Sequence, residues 1–133
     1  MENRIDASSK WIGVAAVLTL TGCVHAPPRS DTTAYESLQK GTIRVERVQA
    51  FTDCVTDGFA QSHFITTNAS SRQMRRTDGY RVETYNRVGI LVSADIFDDG
   101  RVELLEGKVA KFINTSGERD AFKKCLAQFG NPR

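Results

Sequence analysis

Three cysteines, Cys23, Cys54 and Cys125, are the most reactive side chains of this 133-residue chain, and their odd number leaves one without a partner. A thiol becomes a nucleophile when a nearby base draws off its proton, and His63 follows Cys54 closely. A lone histidine in a polar segment is more often a surface residue, so no Cys–His dyad is assigned. The run Asp95-Ile96-Phe97-Asp98-Asp99-Gly100-Arg101-Val102-Glu103-Leu104-Leu105-Glu106 invites a test as a calcium loop. Counted from Asp95, acids fall at positions 1, 5, 9 and 12, with glycine at 6 and an aliphatic at 8. Position 3 is Phe97, which has no side-chain oxygen, and both flanks read as strands, so a hairpin accounts for the same residues without a metal. The arginines are unevenly spread. Arg72, Arg75, Arg76, Arg81 and Arg87 against Asp78 and Glu83 leave that stretch at +3, whereas five acids against Arg101 leave 95–106 at −4. The bland account is solvated strand faces, with Arg76 stacking near Tyr80. The sharper one makes Arg72, Arg75, Arg76 and Arg81 a binding patch on a dipolar surface. No Gly-x-Ser-x-Gly elbow, phosphate-cradling glycine loop or metal-spaced His/Cys cluster is present, so no catalytic residue, metal or cofactor is assigned.

The elements that would position these groups begin with an address. The apolar run Trp11–Leu20 is half the roughly 20 residues that a membrane-spanning helix needs. It follows a polar segment containing Arg4 and Lys10 and precedes small residues, the layout of a secretory signal. Leu20-Thr21-Gly22-Cys23 resembles the lipobox of bacterial lipoproteins. The resemblance implies cleavage of residues 1–22, a diacylglyceryl group on the Cys23 sulfur, and a lipid anchor as the only covalent group. It also implies an outer-membrane site facing the periplasm, since Val24 is not the aspartate that holds such proteins in the inner membrane. Glu2 and Asp6 dilute the positive charge that such signals carry at their start. Two or more acyl chains anchor a protein stably where one holds it only reversibly.

From Cys23 to about Lys40 the chain is rich in proline and small polar residues and reads as a flexible tether. Residues 41–133 then form one small domain. With Cys23 acylated in an exported protein, Cys54 and Cys125 are left as an even pair in an oxidising compartment, where a disulfide is expected. Val48, Phe51, Val55 and Phe59 recur at helical spacing with Cys54 at the edge of their stripe, and Gly58 points to an end near Ala60. Thr115-Ser116-Gly117-Glu118 fits a capping box for a second helix, whose buried stripe is Ala121, Phe122, Cys125, Leu126 and Phe129.

Between the helices, Tyr80, Val82, Thr84, Val88, Ile90, Val92, Ala94 and Ile96 fall on even positions, the period of a strand. A single strand of that length would be unusual, and Asn86–Gly89 is the expected break. Asp78-Gly79 and Asp99-Gly100 mark hairpin turns. A three-residue loop at Asp98–Gly100 sets Ile96 opposite Val102 and Ala94 opposite Leu104, keeping apolar with apolar. The same register sets Asp95 opposite Glu103, which a wet face would tolerate. The expected fold is a two-layer α+β domain: helix, antiparallel sheet of about four strands, helix, with a helix–helix disulfide.

Residues 90–129, with Asp99-Gly100-Arg101-Val102, Ser116-Gly117 and Phe122, resemble the TonB/TolA C-terminal domain, which implies a similar layout and a binding role. The chain departs from that family by an extra hairpin at 72–88 and by lacking a strand after the last helix. The functional expectation is a lipid-anchored envelope protein that binds a protein or peptidoglycan partner. An inhibitor or immunity lipoprotein acting against a lytic enzyme or toxin is the alternative, and a cell-wall-acting enzyme a second. Nucleic acid is an unsuitable partner, because the chain carries only +2 and lacks an aromatic platform.

Overall fold

The structure is a computed structural model that describes residues 26–62 and 68–131. The signal segment 1–22 with Leu20, Thr21 and Gly22, the acylation candidate Cys23, and His63 lie outside the described residues. The elements run β1 (Tyr35–Thr42), α1 (Val48–Ser62), β2 (Ser70–Arg76), β3 (Gly79–Asn86), β4 (Gly89–Phe97), β5 (Arg101–Gly107) and α2 (Ser116–Phe129). The five strands form one antiparallel sheet in the order β1-β5-β4-β3-β2. Both helices pack on one face of it, so the fold is two-layer α+β with one strand more than the sequence pattern indicates.

That extra strand corrects the reading of residues 23–40 as a tether from Tyr35 onward. Tyr35–Thr42 pairs along β5 from Tyr35↔Gly107 to Thr42↔Arg101. The pattern conceals it for a physical reason. A bulge between Ser37 and Gln39 breaks the period of two, and on this edge strand only Tyr35 is buried. The chain is committed to the body earlier still, since Arg29 reaches Ser93 and Asp95.

Elsewhere register follows side-chain chemistry. Ile96 pairs with Val102, Ala94 with Leu104 and Asp95 with Glu103, as apolar matching requires. Gly100 closes the turn with φ +89°, and a Cβ there would sit 2.2 Å from the Ile43 carbonyl oxygen, so only glycine fits. The break at Asn86–Gly89 is a two-residue turn through Arg87 and Val88. Just beyond it a bulge places Leu91 in the core beside Val92, which the even-numbered pattern does not anticipate.

Val48, Phe51, Val55 and Phe59 of α1 and Phe122 and Cys125 of α2 meet Val82, Leu91, Val92, Ala94, Ile96, Val102 and Leu104 of the sheet. Phe51 stands edge-on to Phe122, with ring centres 5.6 Å apart. The disulfide Cys54–Cys125 spans Cα atoms 6.0 Å apart and joins the two helices. It is one rung of a longer seam. A Cβ on Gly58 would lie 2.5 Å from Ala121 Cβ, and one on Gly117 would lie 2.9 Å from Ser62 Cβ. Residues 54, 58 and 62 therefore face 125, 121 and 117, four apart along each antiparallel helix. Gly58 does not end the helix near Ala60; it permits the close approach, and α1 runs on to Ser62.

The capping box expected at Thr115 is also not formed. Thr115 Oγ1 donates to Glu106 Oε1 across to the end of β5, and the Asn114 side-chain carbonyl accepts the Ser116 N–H at 3.0 Å instead. Glu118 is buried in the first turn of α2.

Candidate functional site

The face of the sheet that the helices leave bare carries a cluster of charged side chains. Strand alternation puts Arg81, Glu83 and Tyr85 of β3 on that face, next to Ser93 and Asp95 of β4 and Arg72, Met74 and Arg76 of β2. Register then brings opposite charges face to face: Arg81 pairs with Asp95, and Arg72 with Glu83.

Asp95 is the centre of the arrangement. Its Oδ1 accepts from Arg81 Nε at 2.6 Å, its Oδ2 accepts from Arg29 Nη2 at 2.9 Å, and Arg76 Nη1 lies 3.3 Å from Oδ1. The carboxylate side chain is only 9% exposed, so the face is not wet at Asp95, and wetness was the condition set for tolerating Asp95 opposite Glu103. Arginines seal the carboxylate, and Lys40 Nζ lies 3.4 Å from Glu103 Oε1 on the neighbouring strand. Glu83 is buried and takes Arg72 at 2.9 Å (Nε) and 2.8 Å (Nη2). Such charge-assisted, forked contacts are the strong ones. They make these two carboxylates struts that fix guanidinium positions.

Aromatic rings hold the outer guanidiniums from the other side. Arg72 lies 4.6 Å from the centre of the Tyr85 ring, and Arg29 lies 4.7 Å from that of Tyr35. The Tyr35 hydroxyl donates to the Pro27 carbonyl at 3.0 Å, tying the N-terminal segment down across this face. Burial raises the Tyr35 phenol above its ordinary range, with neighbouring Arg29 opposing the shift.

Of the four arginines singled out from sequence, Arg72, Arg76 and Arg81 come together here, and Arg75 does not. Register places Arg75 opposite Tyr80 on the helix-covered face, where it forks onto Asp98 at 2.8 and 2.9 Å and covers the Tyr80 ring at 4.6 Å. Arg75, not Arg76, is thus the residue stacked on Tyr80. Arg29 replaces it in the cluster. The charge dipole read along the chain is largely spent internally, because the basic hairpin folds against the acidic one. Arg29, Arg72, Arg76 and Arg81 oppose Asp95, Glu83 and Asp78, leaving one positive charge in excess.

The acids of the 95–106 run have separate employments. Asp95 anchors the arginines, Asp98 holds Arg75, Asp99 holds Arg101 at 2.7 Å, and Glu106 accepts from Thr115. The residues with surface left to offer are Arg72, with its side chain 47% exposed, and Arg76, at 33%. Each presents guanidinium N–H groups suited to an anionic or carbonyl-bearing partner. A separate groove of about 460 Å³ lies between β1 and the end of α2, and among the described residues Lys40 is the one charged side chain lining it.

Compared with known proteins, the chain matches no family model, no curated protein and no solved structure. The functional reading therefore rests on the residues and their geometry.

Arg29, Tyr35 and Tyr85 are the site residues to which sequence reasoning gave no binding role; the first two sit in the stretch read as tether, where Tyr35 was expected at most to dock locally. A signal for Arg29 was present. Glu83 and Asp95 both fall on the odd-numbered face of neighbouring strands, and two carboxylates brought together there require several cations.

Proposed function

We propose that this protein is a lipid-anchored component of the bacterial envelope, held at the outer membrane through acylated Cys23, and that its domain binds another envelope component. The recognition surface is the bare sheet face. The observation that carries this reading is the Arg72–Tyr85 pair: a half-exposed guanidinium, fixed by buried Glu83 and stacked on an aromatic ring. Arginine and tyrosine are the side chains that most often dominate protein interfaces, and one held in place beforehand loses little entropy on binding. The lipobox-like segment supplies the address, and the resemblance of residues 90–129 to the TonB/TolA C-terminal domain agrees with a binding role.

A photo-activatable phenylalanine placed at Tyr85 tests the surface in living cells, with the same group at exposed Lys123 on α2 as the control. Capture of one envelope protein from position 85 and not from 123 is the expected result. Capture of a lytic hydrolase or incoming toxin would transfer the assignment to an inhibitor or immunity role. Equal yields from both positions would remove the sheet face as the interface.

A further inference from the structure

We propose that the end of the domain bearing Phe112 and Val88 lies against the membrane leaflet that holds the Cys23 acyl chains, so that the domain docks flat onto lipid. This rests on the acylation of Cys23. The sheet has two ends, and the chain enters the body at one of them. Ala26 and Val109 both border Gly89 at the start of β4: a Cβ built there would meet Ala26 Cβ at 3.2 Å and Val109 Cγ2 at 3.6 Å. The turn containing Val88 immediately precedes Gly89, and the loop containing Phe112 follows Val109 before α2 begins.

That end carries apolar side chains that the core does not use. Phe112 is 93% exposed and Val88 is 53% exposed. The third large exposed hydrophobic residue among those described, Val45, is at the opposite end, between β1 and α1. Arg87, Lys108 and Lys111 stand beside Val88 and Phe112, all exposed, and the Lys111 ammonium lies 5.9 Å from the Phe112 ring centre. Exposed Glu36 and Asp31 share the rim and hold the charge of this end near balance. The contact is therefore driven by the apolar tips, and the cationic stems lie along the headgroups.

Covalent geometry selects the occupant. Cys23 precedes Ala26 by three residues, and a fully extended chain covers at most about 3.3–3.6 Å per residue. An acylated Cys23 thus lies within roughly 11 Å of this end of the domain, too close for any tether to hold the exposed Phe112 and Val88 well clear of the bilayer.

The test uses the full-length protein purified with its lipid and reconstituted into phosphatidylethanolamine–phosphatidylglycerol vesicles containing acyl-chain-brominated lipid. Trp11, the one native tryptophan, leaves with the signal segment on this reading, so Phe112→Trp and Val45→Trp each report one end of the domain. The expected result is a roughly twofold or greater loss of emission at position 112, as for a side chain about 5–10 Å into the headgroup–acyl boundary. Position 45 should keep its emission. Vesicle flotation is scored on the same samples. Protein that floats while position 112 quenches no more than position 45 overturns the docked orientation and leaves the anchor standing. Protein that fails to float removes the anchor, and the docking with it.

Discussion

Replacing Gly58 with alanine sets two known effects against each other. In an ordinary exposed helix, glycine to alanine stabilises by about 1 kcal/mol. Here the new methyl would lie 2.5 Å from Ala121 Cβ. Carbon atoms rest about 3.5–4.0 Å apart, so the seam would have to open by roughly 1–1.5 Å. One turn away, the Cys54–Cys125 bridge holds the helices at a Cα separation of 6.0 Å and resists that opening. Overpacking of this kind costs about 1–3 kcal/mol, which exceeds the propensity gain. Gly58→Ala should therefore lower stability by about 1 kcal/mol net, or roughly 4–8 °C in Tm for a domain of this size. Adding Ala121→Gly removes the obstructing methyl, and the nearest remaining atom is then Ala121 Cα at an ordinary 3.6 Å. Thermal and urea melts of the two single variants and the double variant under oxidising conditions measure the cycle. A favourable coupling of about 1 kcal/mol or more is expected. A Gly58→Ala protein that melts higher than wild type, or two changes that simply add, would refute the close seam.

Three further outcomes follow from other parts of the molecule. Changing both Cys54 and Cys125 to serine opens a loop of sequence separation 71; urea melts should show a loss of about 4 kcal/mol. Asp95→Ala strands Arg29, Arg76 and Arg81 around a buried site; denaturant melts should register about 3 kcal/mol of destabilisation, and a change under 1 kcal/mol would show that the cluster is not needed to hold the face together. The Tyr35 phenol is raised chiefly by burial, so the unfolded chain ionises there first. Its contribution is intact below the unfolded pKa of about 10 and is lost as pH climbs through the higher folded value. Ultraviolet titration should show a late-ionising component that is absent in Tyr35→Phe.

How much the sequence disclosed depended on whether a residue's neighbours were local. The helix stripes, the Asp98–Gly100 turn and the strand register were legible because apolar spacing and turn chemistry act within a few residues. The Cys54–Cys125 pair was legible by elimination once Cys23 was read as the acylation site. Strand β1 was not, because an edge strand needs one buried side chain, Tyr35, and its bulge erases alternation. The role of Gly58 was hidden for a related reason. Within its own helix it reads as a weak point, and its use emerges only when Ala121, 63 residues on, is brought against it. The arginine site was half legible: register on β2 and β3 decides which of Arg75 and Arg76 faces the bare side, and spacing along the chain does not.

The strand order carries a consequence for how such a chain is delivered. Among the described residues β1 finds its only strand neighbour in β5, and Cys54 finds its partner at residue 125. A chain threaded N-terminus first through a membrane pore would present β1 and α1 long before anything exists for them to pair with. Its sheet cannot close before residue 107 has emerged, nor its helices be stapled before residue 125. In such a passage the topology would keep the polypeptide threadable until almost all of it had crossed, and the last strand and the last helix would then shut the fold behind it.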